Sequence, residues 1–324
     1  MKNILVTGAC GFIGSNLVEL LLEKGFNVKA FAHYNSNNSW GWLEDIKHKA
    51  DIDIISGDIR DYDSVSKAME GCDSAFHLAA LIGIPYSYRS PLAYIRTNIE
   101  GTYNVLESAK INGINQLLIT STSETYGTAQ YVPIDEKHPL VGQSPYSASK
   151  IAADQLAISY FRSFDLPVKI VRPFNTYGPR QSARAIIPTI IIEILSGKKE
   201  IQLGNITPTR DLTYVKDTCQ GFIEIYNSDS LFGEVTNIGM NTEISIENLF
   251  DLISEIMGKQ LTHTTSEERI RPNKSEVDRL VCDNTKIMTQ TNWRPKYDLK
   301  DGLIKTIEWL TNNFKNYKSG IYYV

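Results

Sequence analysis

A parallel, doubly wound α/β sheet followed by a smaller mixed α/β lobe is the fold class this sequence predicts, and three observations predict it. Short apolar, β-branched runs alternate with segments of helical length, three glycines follow the first run at a spacing of three, and the alternation fades after Arg172. The run "NILVTG" is the first strand, and a helix is expected from about Ser15 to Lys24. Further strands are expected at "NVKAFA" near residue 30, "DIDIISGD" near 54, "SAFHLAA" near 76, "QLLITST" near 118 and "VKIVRP" near 170, with helices between them. The polar stretch "HYNSNNSWGW" (33–42) reads as a loop. Beyond Arg172 come a helix at 186–196, a strand at "EIQL", and helices at about 216–227, 245–257 and 301–315. These segments do not repeat the first part. They divide the chain into residues 1–172, the unit built on the parallel sheet, and residues 173–324, a smaller lobe whose segments are free to cross back onto the first.

The 324 residues, 42% of them hydrophobic, are enough to fill such a core. A formal net charge of −4 argues against nucleic acid as a partner, because neutralising phosphates along a backbone needs a basic face. A few placed arginines still suffice for a small anion. The four cysteines (Cys10, Cys72, Cys219, Cys282) lack paired or metal-ligand spacing, so a disulfide framework and a metal site are not expected, and reduced thiols in a cytoplasm are. The start "MKNILVTG" is broken by Gly8 too early for a signal core or a membrane span.

The stretch "TGACGFIGS" sets Gly8, Gly11 and Gly14 between a strand and a helix, a spacing that brings backbone N–H groups of a helix N-terminus against a pyrophosphate. The competing reading is a turn that only lets helix and strand pack closely. Ser15 is either a helix-turn hydroxyl or a further phosphate donor. An acidic residue closing the second strand would favour NAD over NADP. That position falls near Ala32, followed by His33, Tyr34 and Asn35, which neither repels nor grips a 2′-phosphate, so both cofactors remain open. Asp58, after the third strand, either meets the adenine or is an ordinary turn residue.

In "SPYSASK", Tyr146 and Lys150 stand four residues apart, on one helix face if Pro145 opens a helix. A neighbouring ammonium favours the phenolate, which lowers the tyrosine pKa towards working pH and equips it to take a hydroxyl proton while a hydride leaves the adjoining carbon. Alone, this pair would mostly be two surface residues. It gains meaning downstream of a glycine loop and of "STS" at the end of the fifth strand.

Together these residues resemble the extended short-chain dehydrogenase/reductase family of nucleotide-sugar epimerases and dehydratases. The resemblance runs through the glycine loop, "GDIRD" (57–61), "HLAA" (77–80), "TNIEGTYNVLE" (97–107), "STSETYG" (121–127), the Tyr146/Lys150 pair, "RPFNTYGPRQ" (172–181), "TRDLTYVKD" (209–217) and "NWRP". It implies a Rossmann domain, a C-terminal lobe for a nucleoside-diphosphate sugar, a tightly held NAD or NADP regenerated each turnover, and a homodimer built through a four-helix bundle. Carried onto these motifs, it implies cofactor contacts from Gly8, Gly11, Phe12, Ile13, Gly14, His33, Asp58, Ile59, Leu78, Ala79, Ala80, Asn98, Tyr146 and Lys150. His77 is expected to pack beneath the cofactor and not to act as a base.

Family epimerases carry a hydroxyl at Thr122 and no acid directly after it, whereas 4,6-dehydratases carry Thr-Asp-Glu. Here the chain reads Thr122-Ser123-Glu124. The Glu points to water elimination, and Ser123 departs from the pattern by removing one carboxylate. Thr-Ser-Glu and "RPNKSEVD" (271–278) resemble the GDP-mannose 4,6-dehydratases. The runs "GIPYSY" (83–88) and "NTYGPRQSARAIIPT" (175–189) bring the whole nearest to the LegB group of legionaminic acid biosynthesis, which implies GDP-N-acetylglucosamine as substrate.

The implied chemistry is oxidation at C4 by Tyr146 with Thr122 and Lys150, and removal of the C5 proton by Glu124. Glu124 then protonates the departing C6 hydroxyl, with Ser123 relaying or positioning, and the hydride returns to C6. For the diphosphate, Arg210 and Arg271 are the leading candidates, with Asn175, Arg180 and Arg184 beside them, because a guanidinium fork matches phosphate oxygens. Tyr86 and Tyr88, in the loop after "HLAA", are candidates for the sugar pocket. Two other readings stand: a 4-epimerase, in which Glu124 is a strand-end carboxylate, and a non-catalytic dinucleotide sensor.

Overall fold

The computed structural model describes residues 2–37 and 39–320. Seven parallel strands form its central sheet. Five of them come in the expected order, with helices between all but β2 and β3, which only two 3-10 turns separate (Gly41–Asp45 and Lys49–Asp51): β1 (Asn3–Thr7), α1 (Phe12–Glu23), β2 (Asn27–His33), β3 (Ile52–Gly57), α2 (Tyr62–Met69), β4 (Ser74–His77), and then α3 (Ile84–Arg89), α4 (Pro91–Tyr94) and α5 (Gly101–Asn112) before β5 (Gln116–Thr120). A long α6 (Pro145–Phe164) leads to β6 (Val168–Pro173). The strand order is β3-β2-β1-β4-β5-β6, completed by a seventh strand from the second half of the chain. The order reverses between β1 and β4, and in open α/β sheets ligands bind at the carboxyl ends of the strands flanking that reversal.

These strands are buried on both faces, which is why they read as continuous apolar runs: every residue of β4 and β6 is buried, as are four of five in β1 and in β5. One face is covered by α1, and the other by α2, α5 and α6, whose apolar sides pack into a separate cluster with Val65, Leu106, Leu117 and Ala157.

The second half begins with β7 (Asn175–Tyr177) and α7 (Ile186–Leu195), then β8 (Glu200–Leu203), β9 (Thr209–Arg210), β10 (Leu212–Tyr214) and α8 (Val215–Asn227). It continues with β11 (Val235–Ile238), β12 (Ile244–Ser245), α9 (Ile246–Ile256), β13 (Thr262–Thr265), β14 (Arg279–Leu280), α10 (Thr285–Gln290) and α11 (Leu299–Asn312). Strand β11 returns to the main sheet and pairs with β6, Val235 opposite Ile170, while α8 packs on α1. Three small sheets remain: β7 with β10, β8 with β13, and β9 flanked by β12 and β14.

Two expectations are corrected here. The stretch 33–42 is not a loop throughout, because Gly41 and Trp42 open a 3-10 turn (Gly41–Asp45) whose Trp42 ring packs on Trp309 and Tyr317 at 5.3 and 6.2 Å. Tyr86 and Tyr88 lie on α3, which Pro85 opens from its first turn.

Candidate active site

The glycine loop is shaped by contacts no side chain would permit. Gly8 has φ +68°, and a Cβ there would stand 2.7 Å from the Ala79 nitrogen; one on Gly14 would stand 2.1 Å from the Gly8 carbonyl oxygen. Gly11 caps α1 without a side-chain hydrogen bond, and the first turn holds no acidic residue, so its N–H groups are left for an external anion. The Ser15 hydroxyl bonds back to the Phe12 carbonyl at 3.2 Å and is not one of those donors. The loop with Leu78, Ala79 and Ala80 is held against the glycines by Thr7, whose backbone carbonyl accepts from Leu78 N and whose Oγ1 accepts from Ala79 N, each at 3.2 Å. A cradle that any Cβ would fill, beside unengaged helix donors, fits a dinucleotide.

Behind it, His77 is fully buried, its Nδ1 paired with Thr7 Oγ1 at 2.8 Å and its Nε2 with Thr102 Oγ1 at 3.1 Å. Burial and the nearby Lys150 push its pKa down to about 3, so it is neutral and acts as packing. Asn98 is engaged in full: its Oδ1 accepts from Leu81 N at 2.8 Å, and its Nδ2 donates to the Leu81 carbonyl and to Ser149, each at 2.9 Å. Its side chain therefore clamps the loop after β4. Ile59 points into the core against Gly101 and its carbonyl accepts from Asn104 Nδ2 at 2.9 Å. His33 is exposed at the end of β2, 3.5 Å from Asp58. The Arg60 guanidinium grips Asp58 and lowers its pKa to about 2.

The helix α6 starts where "SPYSASK" requires. Ser144 and Ser147 form a reciprocal capping box (Ser147 N to Ser144 Oγ 3.1 Å, Ser144 N to Ser147 Oγ 2.9 Å), and Pro145 follows the cap. One turn apart, Tyr146 and Lys150 are both buried, Tyr146 against Ile84 and Tyr94, and the Lys150 ammonium donating to the Thr120 carbonyl at the end of β5 at 2.6 Å. Thr122 caps the 3-10 turn Ser123–Tyr126, accepting from Glu124 N at 3.3 Å, and its hydroxyl acts on the Tyr146 phenol, opposing the rise in that group's pKa. Ser123 is buried and Glu124 half-buried, its charge felt by both Tyr146 and Arg210.

The expected depression of the Tyr146 pKa is not found in the protein alone. Burial raises it well above the ordinary tyrosine value, and Glu124, Tyr94 and Asp154 add to the rise while only Thr122 opposes it. Lys150 is itself lowered by burial, with Asp154 opposing. Asp154, one turn beyond Lys150, is part of a buried network in which Ser121 Oγ donates to its Oδ2 at 2.5 Å and Arg172 Nη2 at 2.7 Å. The Arg172 guanidinium also lies 4.6 Å from the centre of the Tyr126 ring.

Opposite Glu124, the arginines converge. Arg210 is buried and pairs with Glu276 at 3.3 Å, and Arg271 meets the same carboxylate at 3.5 Å. Asn175 Oδ1 is buried without a hydrogen-bond partner among the described residues. The Arg184 guanidinium lies over Gly83, close to Tyr94. Tyr86, Tyr94 and Tyr146 form a chain of ring contacts, 6.1 and 6.2 Å between successive centroids. Arg180 is the exception. It pairs with Glu19 of α1 at 3.1 Å and does not join the cluster.

Sequence reasoning missed Tyr94, Asp154 and Glu276. Asp154 had a usable signal, since it continues the four-residue spacing of Tyr146 and Lys150; Glu276 stood inside a quoted run without its ion pairs being foreseen. Among the described residues no group of three or more metal-ligating side chains occurs, all four cysteines are free, and no helix is long and apolar enough to cross a membrane.

A family model described as GDP-mannose 4,6 dehydratase matches residues 5–306. The dTDP-glucose 4,6-dehydratase of Streptomyces antibioticus is 32% identical over 315 residues, 96% of this chain and 93% of that protein. Among solved structures, DesIV, a dTDP-glucose 4,6-dehydratase from Streptomyces venezuelae with NAD bound, superposes with a TM-score of 0.89 at 27% identity, covering 98% and 99% of the two chains. The UDP-N-acetylglucosamine 4-epimerase of Methanobrevibacter ruminantium gives 0.87 at 29% identity, covering 96% and 99%.

Proposed function

The chain belongs to the nucleotide-sugar 4,6-dehydratase family of extended short-chain dehydrogenases, and we propose that it uses NAD or NADP to convert a nucleoside-diphosphate hexose into its 4-keto-6-deoxy form. The observation that carries this reading is the position of Glu124, a carboxylate in the turn that Thr122 caps and within the field of Tyr146 and Arg210, where elimination needs a base and epimerisation does not. We take GDP-N-acetylglucosamine as the substrate, the GDP on Thr122-Ser123-Glu124 and the "RPNKSEVD" run and the sugar on "GIPYSY" (83–88) and "NTYGPRQSARAIIPT" (175–189), with dTDP-glucose as the chief competitor because several relatives are named for it.

Bound NAD(P)+ supplies the acceptor for the C4 hydrogen and returns it to C6. Tyr146, relayed through Thr122, removes the O4 proton, for which its high pKa in the protein alone must fall; Thr122 already acts in that direction, and the positive charge of a bound oxidised cofactor would add to it. Glu124 takes the C5 proton that the new ketone acidifies and hands a proton to the leaving C6 hydroxyl, and buried Ser123 orders that exchange. Arg210 and Arg271, already balanced by one shared Glu276, hold the diphosphate, with the unpartnered Asn175 Oδ1 accepting from a substrate hydroxyl. Tyr86 and Arg184 border the sugar. Residues 1–172 carry the cofactor and 173–324 the substrate, apart from α8 and β11, which complete the cofactor sheet. A cytoplasmic homodimer through α5 and α6, where Tyr103 is exposed, completes the reading.

The 4-epimerase is the second reading, favoured by Ser123 in place of the usual Asp. Mass spectrometry in D2O separates the two over a panel of GDP-N-acetylglucosamine, GDP-mannose, UDP-N-acetylglucosamine and dTDP-glucose. Loss of water with one deuterium gained at C5 supports the dehydratase, and an isomer of unchanged mass supports the epimerase.

A further inference from the structure

The short segment from Arg271 to Glu276 carries one of the phosphate arginines and the carboxylate that pairs with both. It folds on itself, Ser275 N and Glu276 N donating to the Pro272 carbonyl at 2.7 and 3.1 Å, so its residues move together. Three tethers fix it to the first half of the chain. Tyr88 Oη meets Ser275 Oγ at 2.6 Å, Gln143 Nε2 donates to the Lys274 carbonyl at 3.3 Å, and Thr128 Oγ1 donates to the Glu276 carbonyl at 3.3 Å. Only the first joins two side chains. Ser275 is buried, and Tyr88 sits two residues beyond Tyr86 on α3, the helix from which Tyr86 leads through Tyr94 to Tyr146.

We propose that the Tyr88–Ser275 hydrogen bond is a latch between the two lobes, which closes the phosphate clamp over the sugar and retains the oxidised intermediate until it is reduced again. The inference rests on the dehydratase reading. Between the first and last steps the sugar is a 4-ketone: its C4 hydrogen has left as hydride, its O4 proton is on Tyr146, and the cofactor is reduced. A sugar lost at that stage leaves a free 4-ketose and a protein trapped with reduced cofactor. A neutral hydroxyl–hydroxyl bond suits such a latch, because it is weak enough to open for each substrate and product. Tyr88 and Ser275 are thus positioning residues, acting through Arg271 and Glu276.

The test compares Tyr88→Phe, Ser275→Ala and the double variant with the parent holoenzyme. Hydrogen exchange of residues 271–277 in the presence of GDP or dTDP reads the latch without turnover; near-ultraviolet absorbance of reduced nicotinamide after substrate exhaustion reads retention. Each single variant should exchange several-fold faster in that segment, raise KM more than it lowers kcat, and accumulate several-fold more trapped reduced cofactor, with the double variant no worse than either single. Unchanged exchange, faster exchange without trapped cofactor, or additive effects in the double variant would each overturn the proposal. A parent enzyme that never reduces its cofactor with any sugar nucleotide would instead refute the dehydratase reading, and the exchange comparison would still decide whether the latch exists.

Discussion

Arg172 and Asp154 are joined in a buried ion pair, Nη2 to Oδ2 at 2.7 Å, with neither side chain more than 2% exposed. The pair supports the turn that carries Glu124, because Ser121, which precedes Thr122, donates to the same Asp154 oxygen and accepts from Arg172 Nε at 3.1 Å. Removing one partner of a buried pair leaves an uncompensated charge. Asp154→Ala should therefore cost about 3–5 kcal/mol of stability, read as a lower urea midpoint, and a midpoint equal to the parent's would show that the pair does not hold the turn.

Glu124→Gln keeps the shape of the turn and removes the base. Reduced cofactor should still form on mixing with the sugar nucleotide, while 4-keto-6-deoxy product falls by about 10²–10⁴-fold, the usual contribution of a positioned acid or base. Rapid-scan absorbance with product mass spectrometry checks both halves; normal turnover would make Glu124 a bystander.

Gly14→Ala drives a Cβ to within 2.1 Å of the Gly8 carbonyl, a backbone atom that cannot step aside. Overpacking of this kind costs roughly 1–3 kcal/mol, and here it displaces the N-terminus of α1 from the cradle. Calorimetric titration should show NAD or NADP binding weakened by about tenfold or more. Equal affinity in the variant would separate the glycine loop from the cofactor.

His77 makes stability depend on acid. Its pKa moves from 6.5 to about 3 on folding, so between those values the unfolded chain holds the extra proton and stability falls as pH falls. The slope from this one group approaches about 1.4 kcal/mol per pH unit below 6.5. Urea melts from pH 7 to 5 should show it, and His77→Gln, less stable at neutral pH, should show a shallower decline.

Much of the central sheet was legible because strands covered on both faces are written as unbroken apolar runs, of which "QLLIT" and "VKIVRP" are the clearest. In the second lobe "EIQL" was legible as β8, but β9, β12 and β14 were not, since they are two residues long and exist only through their pairing partners. Tyr146 and Lys150 were legible as a spacing behind a proline. The direction of the Tyr146 pKa was not, because burial against Ile84 and Tyr94 is a tertiary property that no spacing records. Tyr88 was visible as a candidate for the sugar pocket, yet its partner Ser275 lies 187 residues away, beyond the reach of any local pattern.

The return of β11 to the central sheet has a consequence for taking the chain apart. A fragment ending near residue 172 would leave β6, buried along its whole length, as a bare apolar edge, while α1 would lose α8 from its outer side. Exposed edges of that kind recruit other chains. The cofactor half expressed by itself should therefore aggregate, so recombining halves from different relatives would have to exchange α8 and β11 together with the first 172 residues and graft only what lies outside them.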